Sequence, residues 1–222
     1  MEDINAIAAL QDSVRRRLYE YVVAQGREVG RNEAAEAVGV ARTLAAHHLD
    51  KLTEVGLLES GSRRLTGRSG PGAGRPAKVY TLGRTERSVS LPARDYRTVA
   101  ELLAEAAEQA GLDARLFTTA RHRGEADRGS AAPCGGLEEA METLAARGYA
   151  PHLESVEDTG PRVVRMRNCP FRLVADRFPP LVCGMNLALL EGLLGGGQVA
   201  ARMDARPGEC CVVIEESKNN ID

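Results

Sequence analysis

The sequence predicts an α+β protein: an N-terminal winged helix-turn-helix, a connecting helix, and a small α+β C-terminal domain. Three observations carry that prediction. Residues 12–55 hold three short runs of helically spaced apolar residues, each closed by a glycine. Two extended runs then flank a loop of Gly, Arg and Ser. All five cysteines fall in the second half, where helix-like and strand-like segments alternate. A chain of 222 residues, 43% of them hydrophobic, is long enough for two cores. The expected boundaries are residues 1–90, 91–120 for the linker and its helix, and 121–222 for the cysteine-containing part.

Asp12 to Gln25 reads as the first helix, capped by Asp12, with Val14, Leu18, Tyr21 and Val22 at helical spacing and Gly26 as its stop. A second helix fits Asn32 to Val38, with Asn32 as cap and Ala34, Ala35 and Val38 facing inward. Gly39 ends it and Val40 fills the turn. The third spans Arg42 to Val55, with Leu44, His48, Leu49, Leu52 and Val55 as its apolar stripe. Leu57 to Glu59 and Lys78 to Leu82 read as the strands of a hairpin around the loop Ser62 to Gly74.

Further on, Tyr96 to Gly111 is an Ala, Leu and Glu-rich helix with Val99, Leu102, Leu103, Ala106, Ala107 and Ala110 in one stripe. Residues 121–135, rich in Arg, Gly and Ala, read as a loop. Leu137 to Arg147 is expected to be helical, Ala150 to Val156 and Arg162 to Arg167 to be strands, Leu181 to Leu194 a helix, and Cys210 to Glu215 the last strand.

The net charge of −2 is unevenly shared. Residues 1–94 carry 15 Lys+Arg against 11 Asp+Glu, or +4, which leaves 14 against 20, or −6, for residues 95–222. Only the first part is therefore expected to meet phosphate. From Gly61 to Lys78 the chain holds Arg63, Arg64, Arg68, Arg75 and Lys78 and no acidic residue, which points to phosphate or minor-groove contact. On the third helix the apolar stripe leaves Arg42, Thr43, Ala46, His47, Asp50 and Lys51 facing outward. Arg42 can pair with guanine, Thr43 can bond a base or a phosphate, and His47 lies beside them. Lys51 reads equally as a solvated charge, and His48 as a core histidine.

The run Leu52-Thr53-Glu54-Val55-Gly56-Leu57-Leu58, followed by Gly74-Arg75-Pro76-Ala77-Lys78-Val79-Tyr80, resembles the recognition-helix end and second wing strand of ArsR-related winged-helix regulators. The resemblance covers roughly residues 10–85. It implies a homodimer on a partly palindromic double-stranded DNA operator, and with it a dimerisation role for the helix from Tyr96. The C-terminal part then reads as a sensor domain.

Cys134, Cys169, Cys183, Cys210 and Cys211 are too few and too spread out for the disulfide framework of a small secreted domain. Cys169, Cys183 and Cys211 follow Cys-x13-Cys-x27-Cys, unlike the paired hooks of zinc ribbons. By spacing alone, buried thiols and metal ligands are equally good readings. Cys183, near a helix start, is expected to have a lowered pKa. Strand alternation sends Cys210 and Cys211 to opposite faces, so only one joins a shared site.

Asn168 to Phe171, Leu181 to Asn186 and Pro207 to Val213 are similar to the C-terminal region of SufR-type regulators, ArsR-related repressors of iron–sulfur cluster assembly genes. That resemblance implies an iron–sulfur cluster, 4Fe-4S rather than 2Fe-2S, on Cys169, Cys183 and one of Cys210 or Cys211, of which Cys211 is taken. Cys134, His152, Cys210, a carboxylate or an exogenous molecule stand as candidates for the fourth position. The alternatives are a zinc site or thiol oxidation on the same cysteines, or a small-molecule sensor. No apolar run has the length of a membrane span and no signal peptide is evident, so a cytoplasmic protein is expected. No phosphate-binding loop, His-Glu-x-x-His or G-x-S-x-G motif argues for an enzyme.

Overall fold

The computed structural model describes residues 2–63, 76–155 and 162–217. The architecture is α+β, and the chain divides into two compact units, Met1–Arg94 and Asp95–Asp222.

The first unit runs α1 (Glu2–Ala9), α2 (Ser13–Gln25), β1 (Val29–Gly30), α3 (Arg31–Val38), α4 (Arg42–Glu54), β2 (Leu58–Arg63) and β3 (Ala77–Leu82). Asp12 starts α2 by accepting the Arg15 N–H at 2.9 Å, which satisfies one of the donors a helix start leaves open. α3 begins one residue ahead of the Asn32 expected as its cap. Gly30 takes that position, and the Glu33 carboxylate reaches back to the Gly30 N–H at 3.4 Å. Gly39, at φ +70°, ends α3 in a conformation that would strain any other side chain.

The three strands form an antiparallel sheet in the order β1-β3-β2, with Ser60 opposite Tyr80. Leu18, Val22, Val38, Leu49, Leu52, Leu58 and Tyr80 close the core. Full burial of a side chain of this size contributes roughly 1.5–3 kcal/mol. The inward face of α4 is Ala45, His48, Leu49 and Leu52, while Leu44, placed in the stripe by the sequence reading, is 41% exposed. The i, i+3, i+4, i+7 set starting at position 45 wins because it alone keeps Leu49 and Leu52 central.

His48 is buried, with Nε2 4.0 Å from the Asp12 carboxylate. Burial lowers its pKa, against the opposing pull of Asp12. The unfolded chain, with an ordinary histidine near pH 6.5, then binds more protons than the folded one. Stability tied to His48 is present above that pH and is lost as the pH falls below it. Urea melts between pH 7 and pH 5 are expected to show this loss, with a smaller pH dependence in His48→Gln.

The second unit runs α5 (Tyr96–Gln109), α6 (Asp113–Arg128), α7 (Leu137–Ala145), β4 (Pro151–Ser155), β5 (Arg162–Met166), α8 (Arg172–Ala175), α9 (Pro179–Leu194), β6 (Val199–Met203) and β7 (Val212–Glu216). Most of the segment expected to be a loop over residues 121–135 is therefore the second half of α6. The sheet is antiparallel in the order β4-β5-β7-β6. Val164, Met166, Val212 and Ile214 on one face pack with Leu137 and Leu144 of α7 and Leu190 and Leu194 of α9.

α9 lies directly on α6. A Cβ added at Gly124 would run into the carbonyl oxygen of Leu189, and one at Gly192 into that of Arg121, so the two backbones meet with no side chain between them. α5 lays Ala104 and Ala107 on Phe178, Leu181 and Val182, and leaves Tyr96, Val99, Leu102 and Leu103 more than half exposed. Among the described residues no helix is long and apolar enough to cross a membrane.

Candidate functional site

In the first unit, α3, α4 and the hairpin enclose an open hollow of about 960 Å³ whose cationic lining includes Arg27, Arg31, Arg42, Arg63 and Lys78. Arg42 opens α4, whose N-cap residue, Ala41, offers no side-chain acceptor to the exposed N–H groups of the first turn. Arg42, Thr43 and His47 are exposed. Lys51 is exposed and pairs with Glu54 at 2.9 Å, one helical turn away. Arg63 reaches Glu28 at 3.3 Å across the surface. Arg64, Arg68 and Arg75 lie outside the described residues.

Asp50 organises this side of the unit. It accepts from Lys78 Nζ at 2.7 Å, from the Tyr80 hydroxyl at 2.6 Å and from Arg31 at 3.1 Å, and Arg31 Nε also donates to Tyr80 at 2.8 Å. Burial would raise the Asp50 pKa, but the bonds from Lys78 and Tyr80 and the two cations override it and hold the carboxyl below its ordinary range. Burial and the bond to Asp50 push Tyr80 up to about 12. The network ties α3, α4 and β3 together, and Lys78 spends part of its charge on Asp50.

In the second unit, four of the five cysteines come together from three segments: the turn after β5, the second turn of α9, and the turn before β7. Cys183 Sγ lies 2.7 Å from Cys211 Sγ. Cys169 and Cys210 form the other pair, and each acts on the other's titration: the pKa of Cys169 is lowered beside Cys210, and that of Cys210 is raised beside Cys169 and by burial. The charges of Cys183 and Cys211 bear on Cys169, and those of Cys211 and Cys210 on Cys183. All five cysteines are free thiols. Cys134 stands apart, with its sulfur 4.0 Å from the Thr143 hydroxyl.

Two expectations are corrected here. The Cys183 pKa is pushed up to about 12 by burial and by Cys211, not lowered. Its thiol lies beyond the first turn of α9, where the pull of the helix N-terminus has faded. β7 begins at Val212, so Cys210 and Cys211 sit in a turn and strand alternation does not separate them.

The turn is anchored by backbone and by charge. The Cys210 N–H donates to the Met166 carbonyl at 2.9 Å, and the Cys211 carbonyl accepts from the Asp204 N–H at 2.8 Å. Arg165 of β5, 2% exposed, bonds the Glu154 and Asp204 carboxylates at 2.6 Å each, the Asp204 carbonyl at 3.2 Å, and stands 3.8 Å from Glu209. His152 approaches Glu209 at 3.6 Å, and burial lowers its pKa.

The sequence reading missed Arg165, Tyr149 and Asn186. Asn186 carried a signal, being a lone carboxamide in the apolar run Leu181–Leu194. Arg165 carried none, since Arg-Val-Val-Arg-Met reads as an exposed-edge pattern.

Among the described residues no three His, Cys, Asp or Glu side chains stand in a metal-holding arrangement as they lie. Tetrahedral thiolate ligation with metal–sulfur bonds of about 2.3 Å sets sulfurs about 3.8 Å apart. Cys183 and Cys211, at 2.7 Å, would open by roughly an ångström around an ion. The donors themselves, four thiols gathered beside an apolar core, fit a thiophilic metal centre. Comparison with protein-family models, with curated proteins and with solved structures finds no match to the chain.

Proposed function

We propose that the protein is a homodimeric DNA-binding transcriptional regulator of the SufR type, a repressor of iron–sulfur cluster assembly genes whose operator binding depends on an iron–sulfur cluster at its C-terminal cysteines. The observation that carries this reading is the approach of Cys183 and Cys211, 28 positions apart in the chain, to 2.7 Å, with Cys169, 14 positions before Cys183, near enough for both to act on its charge. Bound there, a cluster would supply an oxidant- and iron-sensitive crosslink between segments that otherwise meet only through hydrogen bonds and packing.

Support for the DNA-binding half is the order α2, α3, α4 and then the β2–β3 hairpin, which is that of a winged helix-turn-helix. Arg42, Thr43 and His47 present side chains on the outer side of α4 suited to base edges, and the cations of the hollow suit the flanking phosphates. Support for the dimer is the apolar face of α5, where Tyr96, Val99, Leu102 and Leu103 are exposed together.

The test is purification without oxygen, followed by visible absorbance with iron and acid-labile sulfide analysis, for the wild type and for Cys183→Ala. The expected result is a brown wild-type protein and a colourless variant, with operator affinity differing between the loaded and stripped wild type. A colourless wild type that cannot be reconstituted overturns the cluster.

The 2.7 Å approach of Cys183 and Cys211 favours a second reading, a dithiol switch. One equivalent of hydrogen peroxide would take two electrons and two protons from the pair, leaving one disulfide and two waters. Cys211, the more exposed, attacks the peroxide first and becomes a sulfenic acid with release of one water, and Cys183 then attacks that sulfur and releases the second. A peptide map of the colourless, oxidised protein showing Cys183 linked to Cys211 supports this reading over zinc.

A further inference from the structure

We propose that Cys210 is the fourth sulfur donor of the cysteine site, beside Cys169, Cys183 and Cys211, with the Asn186 carboxamide held by Tyr149 as a hydrogen-bond donor to its sulfur. The proposal rests on the metal-binding reading above and completes it: the four positions around a thiophilic centre are then filled by this chain, with no exogenous ligand.

The first argument is placement. In a strand, neighbouring cysteines point to opposite faces, and one of them is lost to a shared site. Here both precede β7 in a turn whose two ends are tied, Cys210 to Met166 and Cys211 to Asp204. The Cys211 sulfur lies 2.7 Å from that of Cys183, while Cys210, whose sulfur accepts from Asn186, neighbours Cys169 closely enough for the two to act on each other's charge. Each half of the doublet thus approaches a partner from a different segment, as two thiol pairs that a metal ion would draw together into one four-sulfur site.

The second argument is the amide. Asn186 is 2% exposed in the middle of an apolar helix, where a carboxamide is costly unless its hydrogen bonds are made. Its Nδ2 donates to Cys210 Sγ at 3.4 Å. Its Oδ1 accepts from the Tyr149 hydroxyl at 2.5 Å, and since that oxygen is taken, the amide's donor end is the one turned to the sulfur. A neutral thiol is a weak acceptor, whereas a metal-bound thiolate is a good one. Donors of this kind around a ligand orient it and tune the metal. Cys134, equally buried in the same core, has a threonine beside it and no amide donor.

The experiment loads the reduced, oxygen-free full-length chain with one equivalent of zinc(II) and measures the zinc X-ray absorption fine structure. The expected shell is four sulfurs at about 2.3 Å. In Cys210→Ser it becomes three sulfurs and one oxygen or nitrogen, while Cys134→Ser keeps four. Asn186→Leu keeps four sulfurs and loses about tenfold to a hundredfold in zinc affinity, as loss of an outer hydrogen bond does elsewhere.

Three sulfurs in the wild type, or four in Cys210→Ser, overturn the assignment of Cys210 and leave the metal site standing. A wild type that retains neither zinc nor iron overturns both. The wild-type shell needs no variant to fold, so the count of sulfurs decides the matter by itself.

Discussion

Arg165→Ala is expected to cost the C-terminal unit about 3 kcal/mol, the loss typical when one partner of a buried ion pair is removed. The guanidinium is 2% exposed and holds two carboxylates at 2.6 Å with a third 3.8 Å away. Without it, Glu154, Asp204 and Glu209 face one another over the space it filled. Arg206, at 2.9 Å from Glu154, and Arg202, at 3.1 Å from Asp204, soften that repulsion from the surface side and keep the cost near the lower end of the range. Chemical denaturation followed by circular dichroism reads the change directly. Because Asp204 and Glu209 belong to the segment leading to Cys210 and Cys211, the four thiols should also react faster with a maleimide probe below the unfolding transition. A loss of stability with unchanged thiol reactivity would mean that the ion cluster holds the sheet and leaves the cysteine turn alone.

Gly192→Ala should be comparably damaging, at about 3 kcal/mol, the top of the range for overpacking a core. Its new methyl group meets the carbonyl oxygen of Arg121 and the N–H of Glu125, which are backbone atoms that move only if the whole of α6 moves. Gly124→Ala makes the reciprocal collision with Leu189 and Gly192. A thermal melt of each variant measures the loss, and the double variant should lose less than the sum, since one displacement of the helices relieves both contacts. Strict additivity would indicate that the two glycines act separately.

These glycines also explain where the sequence was legible and where it was not. The helices around Leu18, Ala35 and Leu49 were readable because Gly26 and Gly39 stop them and Asp12 starts one of them. In Asp113–Arg128 the same residue type misled. Gly124, in Arg-His-Arg-Gly-Glu, looks like loop composition, yet it is the point of closest helix contact, and no local pattern distinguishes the two uses. The strand Val199–Met203 was missed because Ala-Ala-Arg has little preference for extended structure; its pairing with Val212–Glu216 supplies the order.

Within the candidate site, the cysteines were visible as residues but their partition was not. Alternation applied to Cys210-Cys211 failed because the strand starts two residues later than its apolar run suggests, and no sequence feature reveals that Met166 anchors the turn. The lowered pKa expected for Cys183 failed for a related reason, since burial depends on what closes over the helix and not on its first turn.

Asp50 has a bearing on how the first unit would respond to ionic strength. Arg31 and Lys78 share that one carboxylate, so together they present close to a single net positive charge. A polyanion seated in the hollow gains from the two of them about the counterion release of one phosphate contact instead of two. Under the DNA-binding function proposed above, the affinity of that surface for nucleic acid should therefore fall less steeply with added salt than its count of basic residues implies. Asp50→Asn would steepen the slope by about one unit of log K per log salt.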